Sequence, residues 1–235
     1  MKRARATEQK DERRAAIMDE AWRLYRELPY AQITVAGIAR GIGLAKGTVY
    51  LYFSGKESLF LSVLTAQLSD WFAELSETLG RGMGEASAFA NPAVHPAALV
   101  ARSVARSLAA RHALARLLAE SHVILEQNAD AETISAYKSM LLAELSKLAE
   151  PFGRALGISD TGFVAMLLLE VYALLVGTQQ LADPAPLVRE VIEESDQLAI
   201  FAIDFELFFG NALHALLLGA LAQQTGKISE GETNE

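Results

Sequence analysis

The sequence predicts an all-α protein, with a small basic helix-turn-helix domain at the N-terminus and a larger helical domain after it. Three observations carry that prediction. Apolar residues recur at helical spacing along most of the chain, and no strand-like alternation persists. Ala and Leu, strong helix formers, dominate, while only 6 prolines interrupt 235 residues. Charge is divided unevenly along the chain. Residues 1–60 carry 11 Lys and Arg against 7 Asp and Glu, and residues 61–235 carry 10 against 22. The overall −8 therefore hides a basic end and a strongly acidic remainder, an asymmetry that suggests a nucleic-acid-binding end.

Composition narrows the function classes. An apolar share of 51% excludes a disordered chain. The absence of cysteine excludes disulfides, thiolate metal sites and cysteine nucleophiles, and suits a reducing cytoplasm. No acid–base pair or metal-ligand cluster occurs at useful spacing, so we expect neither an enzyme nor a cofactor. The first residues, MKRARATEQKDERR, are charged and lack the apolar core of a signal peptide. The most apolar run, FVAMLLLEVYALLVG at 163–177, is 15 residues interrupted by Glu170. A membrane span needs about 20, so this run reads as a buried helix of a soluble, cytoplasmic protein.

Taken in order, residues 11–28 place Ile17, Ala21, Leu24, Tyr25 and Leu28 on one helical stripe that Pro29 stops. A second helix starts at Thr34, a good N-cap, and buries Val35, Ile38 and Ala39. It ends in GIG at 41–43, where Gly43 can take the positive φ of a tight turn. A third, about 45–52, turns Val49 and Phe53 inward and leaves Lys46, Gly47, Thr48, Tyr50 and Tyr52 outside. SGKE at 54–57 reads as a capping box, with the Ser54 hydroxyl on the Glu57 amide. It opens a long helix carrying Phe60, Val63, Leu64, Leu68, Trp71, Phe72 and Leu75. Residues 80–96 read as a loop. Helices are then expected at about 96–110, 112–127, 130–156, 160–182 and 186–223, followed by a disordered tail at 224–235. The domains expected are thus 1–55 and 56–223.

Two short helices joined by a glycine turn form a helix-turn-helix arrangement. The stretch ITVAGIARGIGLAKGTVYLYFSGKESLF closely resembles the DNA-binding domain of the TetR family of bacterial transcriptional regulators. The likeness covers residues 12–64, about a quarter of the chain. It implies a DNA-binding regulator whose contacts to double-stranded DNA fall on Thr34, Lys46, Gly47, Thr48, Tyr50, Tyr52 and Lys56. Physical reasoning on the residues agrees. Ala45, Lys46, Gly47 and Thr48 open the third helix, the part of a recognition helix that meets base edges. Lys46 suits a guanine edge or a phosphate, and the Thr48 methyl suits a thymine. Tyr50 and Tyr52 end in hydroxyls suited to phosphate oxygens. Lys56, a cation in the first turn of a helix, gains if a phosphate binds there. Lys2, Arg3 and Arg5 offer a basic arm for the minor groove. A nucleotide-loop reading of GIGLAKG fails, because its glycine spacing is wrong and no strand precedes it.

The same resemblance implies that the acidic helices bind a small-molecule effector and form a homodimer on a palindromic operator, with a ligand-responsive repressor as the expected function. The sequence itself supports the dimer. Phe201, Phe205, Phe208, Phe209, Leu213, Leu216 and Leu217 cover much of one late helix. Together with the 163–177 helix they form more apolar surface than one small bundle covers, as a four-helix interface between two copies requires. For the effector, His122 falls on the stripe of Leu114, Leu117, Leu118, Ser121 and Leu125 and is expected to face inward. Trp71, Glu126, Tyr137, Tyr172 and Gln179 are polar or aromatic groups within apolar helices and are the other candidate pocket residues. Such a lining suits a hydrophobic or aromatic effector. The alternatives are a DNA-binding regulator without an effector and a helical protein–protein adaptor.

Overall fold

The computed structural model describes the backbone of residues 2–89 and 95–231 and the side chains of residues 8–81 and 95–224. Eleven α-helices and no strand occur among the described residues. Helix α1 (Lys2–Glu27) is followed by a single 3-10 turn at Tyr30–Gln32 and by the short helices α2 (Val35–Gly41) and α3 (Lys46–Val49). Next come α4 (Lys56–Phe89), α5 (Pro96–Ala109), α6 (His112–Glu120), a wide π turn at Ser121–Leu125, and α7 (Glu126–Asn128). The rest is α8 (Ala131–Leu156), α9 (Thr161–Ala182), α10 (Pro186–Glu193) and α11 (Phe205–Gly231).

The chain divides into two compact units. One holds Met1–Leu68 with Glu120–Leu141, and the other holds Ser69–Ala119 with Leu142–Glu235. The boundary expected at residue 55 thus moves to 68, and a later segment joins the N-terminal unit. Its ties are specific. The Tyr25 hydroxyl donates to Glu120 at 2.9 Å, and the Ser54 hydroxyl donates to Asp130. Long-range pairs of this kind leave no mark in local periodicity.

The N-terminal unit is centred on Ile17, Ala21, Tyr25, Ile38, Val49, Phe53, Leu59, Phe60 and Leu64, all buried. The Phe60 ring meets Tyr30 edge-on at 5.1 Å between centroids. In the other unit α11 packs against α5 and α9. The stripe Phe209, Leu213, Leu217 is completely buried, as are Ala97 and Leu108 of α5.

Four other expectations change. The stretch 80–89 is the end of α4 rather than a loop. Glycines cost a helix about 1 kcal/mol each, and a helix already nucleated propagates through them. The single helix expected at 186–223 is broken into α10, a 3-10 turn at Asp196–Phe201, and α11. Asp204 starts the last by accepting the Leu207 N–H at 2.8 Å, an N-cap inside an apolar run. The α11 backbone then continues to Gly231, past the expected tail boundary. The 15-residue apolar run, read as too short to span a membrane, lies within α9, whose 22 residues match the helix expected at about 160–182. By length and composition both Thr161–Ala182 and Phe205–Gln224 reach the span of a membrane helix, and they pack against each other in the C-terminal unit.

Candidate nucleic-acid interface

The reading head is built by three short-range devices. Thr34 caps α2, its side-chain oxygen accepting the Gly37 N–H at 3.0 Å. Gly43, at φ 68°, reverses the chain between α2 and α3. Val49 and Phe53, 1% and 5% exposed, anchor α3 and the turn after it. With those two inward, Ala45, Lys46, Gly47 and Tyr50 are exposed and Thr48 is half-buried. The Lys46 ammonium lies 5.7 Å from the Tyr50 ring centroid. A Cβ added at Gly47 would meet no atom within 4 Å. Nothing inside the chain requires glycine there, and the bare backbone leaves room for an approach from outside. Ala45 is the N-cap and offers no side-chain acceptor, so the first amides of α3 also lack a side-chain cap.

Two expected contacts sit differently. Tyr52 is half-buried and lines a cavity with Arg14 and Met18. The Lys56 ammonium lies 3.6 Å from the Tyr30 ring centroid and donates to the Tyr30 carbonyl. Burial lowers its pKa from the ordinary lysine value, with partial compensation from Glu57 and Glu120. The capping box at 54–57 does not form. Ser54 gives its proton to Asp130, and Glu57 accepts the Tyr30 hydroxyl at 3.0 Å. That burial beside Glu57 raises the Tyr30 pKa well above the ordinary phenol range. Ser58 takes over at the helix start, its oxygen accepting the Gly55 N–H at 3.1 Å. The cluster Tyr30–Lys56–Glu57 thus braces the start of α4, a pairing of residues 26 positions apart that the motif alone did not suggest. The side chains of Lys2, Arg3 and Arg5 lie outside the described residues, and their backbone is the beginning of α1.

The family comparisons agree with this geometry over nearly the whole chain. The profile described as "Bacterial regulatory proteins, tetR family" matches residues 17–63. The profile "Tetracyclin repressor-like, C-terminal domain" matches residues 65–224. The chain belongs to the TetR family. Among curated relatives, the HTH-type transcriptional regulator EthR of Mycolicibacterium smegmatis is 41% identical over 54 residues, 23% of this chain and 25% of that protein. The fatty acid metabolism regulator protein of Bacillus subtilis is 33% identical over 63 residues, 27% and 32% of the two. These alignments span only a quarter to a third of the relatives' length. Among solved structures, a possible TetR family regulator from Streptomyces coelicolor A3(2) superposes with a TM-score of 0.54 at 22% identity, covering 89% of this chain and 98% of that one. The regulator FadR from Bacillus subtilis, solved in complex with stearoyl-CoA, has a TM-score of 0.50 at 19% identity over 88% and 98%. At such identities the shared feature is the fold.

Membership in the TetR family makes the chain a transcriptional regulator rather than an enzyme, and it sharpens the question of the C-terminal candidates. They divide between the two units. Trp71 is buried and its indole N–H is satisfied by the Ser107 hydroxyl at 3.0 Å. His122 faces outward, with its Nδ1 3.1 Å from Glu126, whose other oxygen takes Lys138 at 2.7 Å. The physical reason is the π turn at Ser121–Leu125, which rotates His122 off the buried stripe while Ser121 and Leu125 stay inside. Tyr137 is buried, but in the N-terminal unit with His122 and Glu126. Tyr172 and Gln179 belong to α9 in the other unit, Tyr172 half-buried and Gln179 2% exposed. Both amide atoms of Gln179 and the hydroxyl of the adjacent buried Thr178 lack a hydrogen-bond partner. Sequence reasoning named Gln179 and missed Thr178, because a threonine in a helix usually bonds back to its own turn.

The dimer candidates also split. Phe209, Leu213 and Leu217 are core residues turned onto this chain's own helices. Phe205 is half-buried and stacked on Phe209 at 5.5 Å, and Leu216 is half-buried. Phe201 and Phe208 remain exposed, at 56% and 42%. A helix apolar all round gives no sequence signal for which face is which.

Proposed function

We propose that this protein is a ligand-responsive repressor that acts in the cytoplasm, binds a palindromic operator as a homodimer, and releases it when a small, largely hydrophobic effector binds. The observation that carries the DNA-binding part is the opening of α3: Lys46, bare Gly47 and uncapped amides stand exposed on a head whose other face is fully buried. Thr34, Thr48 and Tyr50 flank them, and Tyr52 and Lys56 stand closer to the core, where phosphate contacts would require them to turn outward.

Dimerisation is supported by the outer sides of α9 and α11. Met166 and Leu169 on α9, with Leu207, Phe208 and Leu218 on α11, are all exposed. A shallow groove between those helices is floored by small residues, Ala215, Gly219 and Ala220. Two such helices from each copy form a four-helix interface of the isologous kind, and two linked heads strengthen a recognition helix of only 4 residues.

Effector binding is supported by Thr178 and Gln179. Three hydrogen-bonding atoms buried without partners amid Val171 and Leu175 are costly to the free protein. A guest with an apolar body and one polar group, of the general kind of the acyl thioester solved with the Bacillus subtilis structure, relieves that cost.

The test is selection of genomic fragments by the purified protein, followed by gel-shift titration on the recovered sequence. Half-sites related by a two-fold axis and loss of binding in Lys46→Ala are the expected result. A chain that shifts no DNA at low salt removes the reading. An operator affinity indifferent to every molecule that binds the C-terminal unit leaves a regulator without an effector, and a chain that is monomeric until a partner protein is added favours an adaptor.

A further inference from the structure

A cavity of about 550 Å³ opens within the N-terminal unit. Its walls come from α1, the turn after α3, α4 and the first turns of α8. Three aromatic rings line it, Tyr52, Phe53 and Tyr137, with the charged groups Arg14, Asp130 and Glu132. Beside the phenols of Tyr52 and Tyr137, five aliphatic hydroxyls supply further polar lining, from Ser54, Ser58, Ser62, Thr65 and Thr133.

Where the hydroxyl protons go decides the chemistry. Ser54 and Thr133 both donate to Asp130. Ser58 donates to the Gly55 carbonyl, Ser62 to the Ser58 carbonyl and Thr65 to the Leu61 carbonyl. A hydroxyl has one proton and two lone pairs. All five protons are therefore committed, and what these groups offer a guest is acceptor capacity. Asp130 and Glu132 add carboxylate acceptors and negative charge. Arg14 is the lone cation among the lining residues, and it is already engaged. It donates to the Ser62 hydroxyl oxygen at 3.0 Å and to the Met18 sulfur, and it lies 4.9 Å from the Phe53 ring centroid. The lining thus carries one net negative charge, an excess of acceptors and aromatic surface, in a volume ordinary for a small-molecule site.

We propose that this cavity binds an organic ammonium ion with an aromatic or apolar body. Its N–H groups donate to Asp130, Glu132 and the hydroxyl lone pairs, and its body lies against the rings of Tyr52, Phe53 and Tyr137, where a cation also gains from the ring faces. Thr178 and Gln179 belong to the other unit and are not among the lining residues. Its guest touches Tyr52 and Ser54, in the turn that follows the recognition helix.

The experiment is calorimetric titration of the full chain, without DNA, with 2-phenylethylammonium and with 3-phenylpropanoate, which share a ring and differ in the charge of the head group. The ammonium is expected to bind at least tenfold more tightly than the carboxylate. Asp130→Asn with Glu132→Gln should lower its affinity at least tenfold, since asparagine keeps the helix cap and loses the charge. Ala136→Trp, a change at an exposed lining position, should fill the cavity and abolish binding. Should the Asp130 change unfold the unit, Glu132→Gln alone carries the charge test, with a loss of threefold or more. No binding of the ammonium, equal affinity for the anion, or unchanged affinity in the charge and Ala136→Trp variants overturns the proposal. Because no DNA is present, that failure leaves the operator reading untouched.

Discussion

Helix α3 is 4 residues long and α11 is 27, yet it is the shorter helix whose faces follow from its sequence. In α3 and the turn after it, Val49 and Phe53, four positions apart, form the anchor, and the side chains between and before them are exposed or half-buried. In the first part of α11, residues 205–221, apolar residues occupy most positions and fall on all sides of the helix, so any face can be the inner one, and packing against α5 makes the choice. Phe209, Leu213 and Leu217 go in, while their neighbours Phe208 and Leu218 stay out. Scarcity of apolar residues makes a helix readable, and abundance makes it ambiguous.

The sharpest way to break that comparison is a pair of truncations one residue apart. Phe209→Ala removes a fully buried ring and should cost about 3–5 kcal/mol of unfolding free energy in denaturant titration. Phe208→Ala, at a position 42% exposed, should cost about 1 kcal/mol or less at protein concentrations where the chain is monomeric. In sedimentation equilibrium the second change, not the first, should weaken self-association of the folded chain. Equal costs for the two would show that the inner face of α11 is misassigned.

The head offers the complementary test. Lys46→Ala removes an exposed side chain whose only described neighbour is the Tyr50 ring. It should leave the thermal midpoint unchanged and reduce operator affinity by about 1–3 kcal/mol, with relaxed preference at the contacted base pair. A fall in thermal midpoint that accounts for the lost affinity would make Lys46 a packing residue.

What was legible in the sequence follows the same division. The helix-turn-helix could be read residue by residue, because caps, a positive-φ glycine and two anchors act over three or four positions. Most helix spans in the larger domain were also readable from periodicity. What could not be read acts at long range or by small geometric shifts. The Ser54–Asp130 hydrogen bond joins residues 76 positions apart and replaces a capping box that the local sequence spells correctly. The π turn at Ser121–Leu125 inserts part of a turn and moves His122 from the inner stripe to the surface. Asp204 starts a helix where apolar continuity hid a break. Gln179 was found for the simple reason that an amide inside an apolar helix is conspicuous, and Trp71, equally conspicuous, proved to be satisfied by Ser107.

Lys56 lies at the edge between the two kinds of residue, since the motif implies a phosphate contact and the structure holds its ammonium on Tyr30. Lys56→Ala should lower unfolding free energy by about 1 kcal/mol through the lost hydrogen bond and ring contact. If the side chain swings to a phosphate on binding, the slope of log affinity against log salt also falls by about one per subunit. A stability loss with an unchanged slope assigns Lys56 to the brace alone.

The smallest expected effect concerns Asp130, through which residues of the later segment hold the turn after the reading head. Three groups donate to its carboxylate: the Ser54 hydroxyl, and the Thr133 N–H and hydroxyl. They hold its pKa at about 2, against an ordinary 3.8, with the Ser54 hydrogen bond the largest cause. On acidification the unfolded chain takes up this proton first, near 3.8, while the folded chain resists until about 2. The stabilisation is therefore complete above about pH 5 and is lost as pH falls toward 2. The group is solvent-exposed, so the effect on the thermal midpoint is small and best seen as a difference between variants. Asp130→Asn keeps an acceptor for the Thr133 N–H but has no proton to take up in this range. Its midpoint should fall less steeply than the native chain's between pH 4 and 2, with parallel curves above pH 5. Superimposable slopes across the acid range would mean that neither Ser54 nor Thr133 holds the Asp130 carboxylate in solution, leaving Tyr25 and Glu120 as the tie of the later segment.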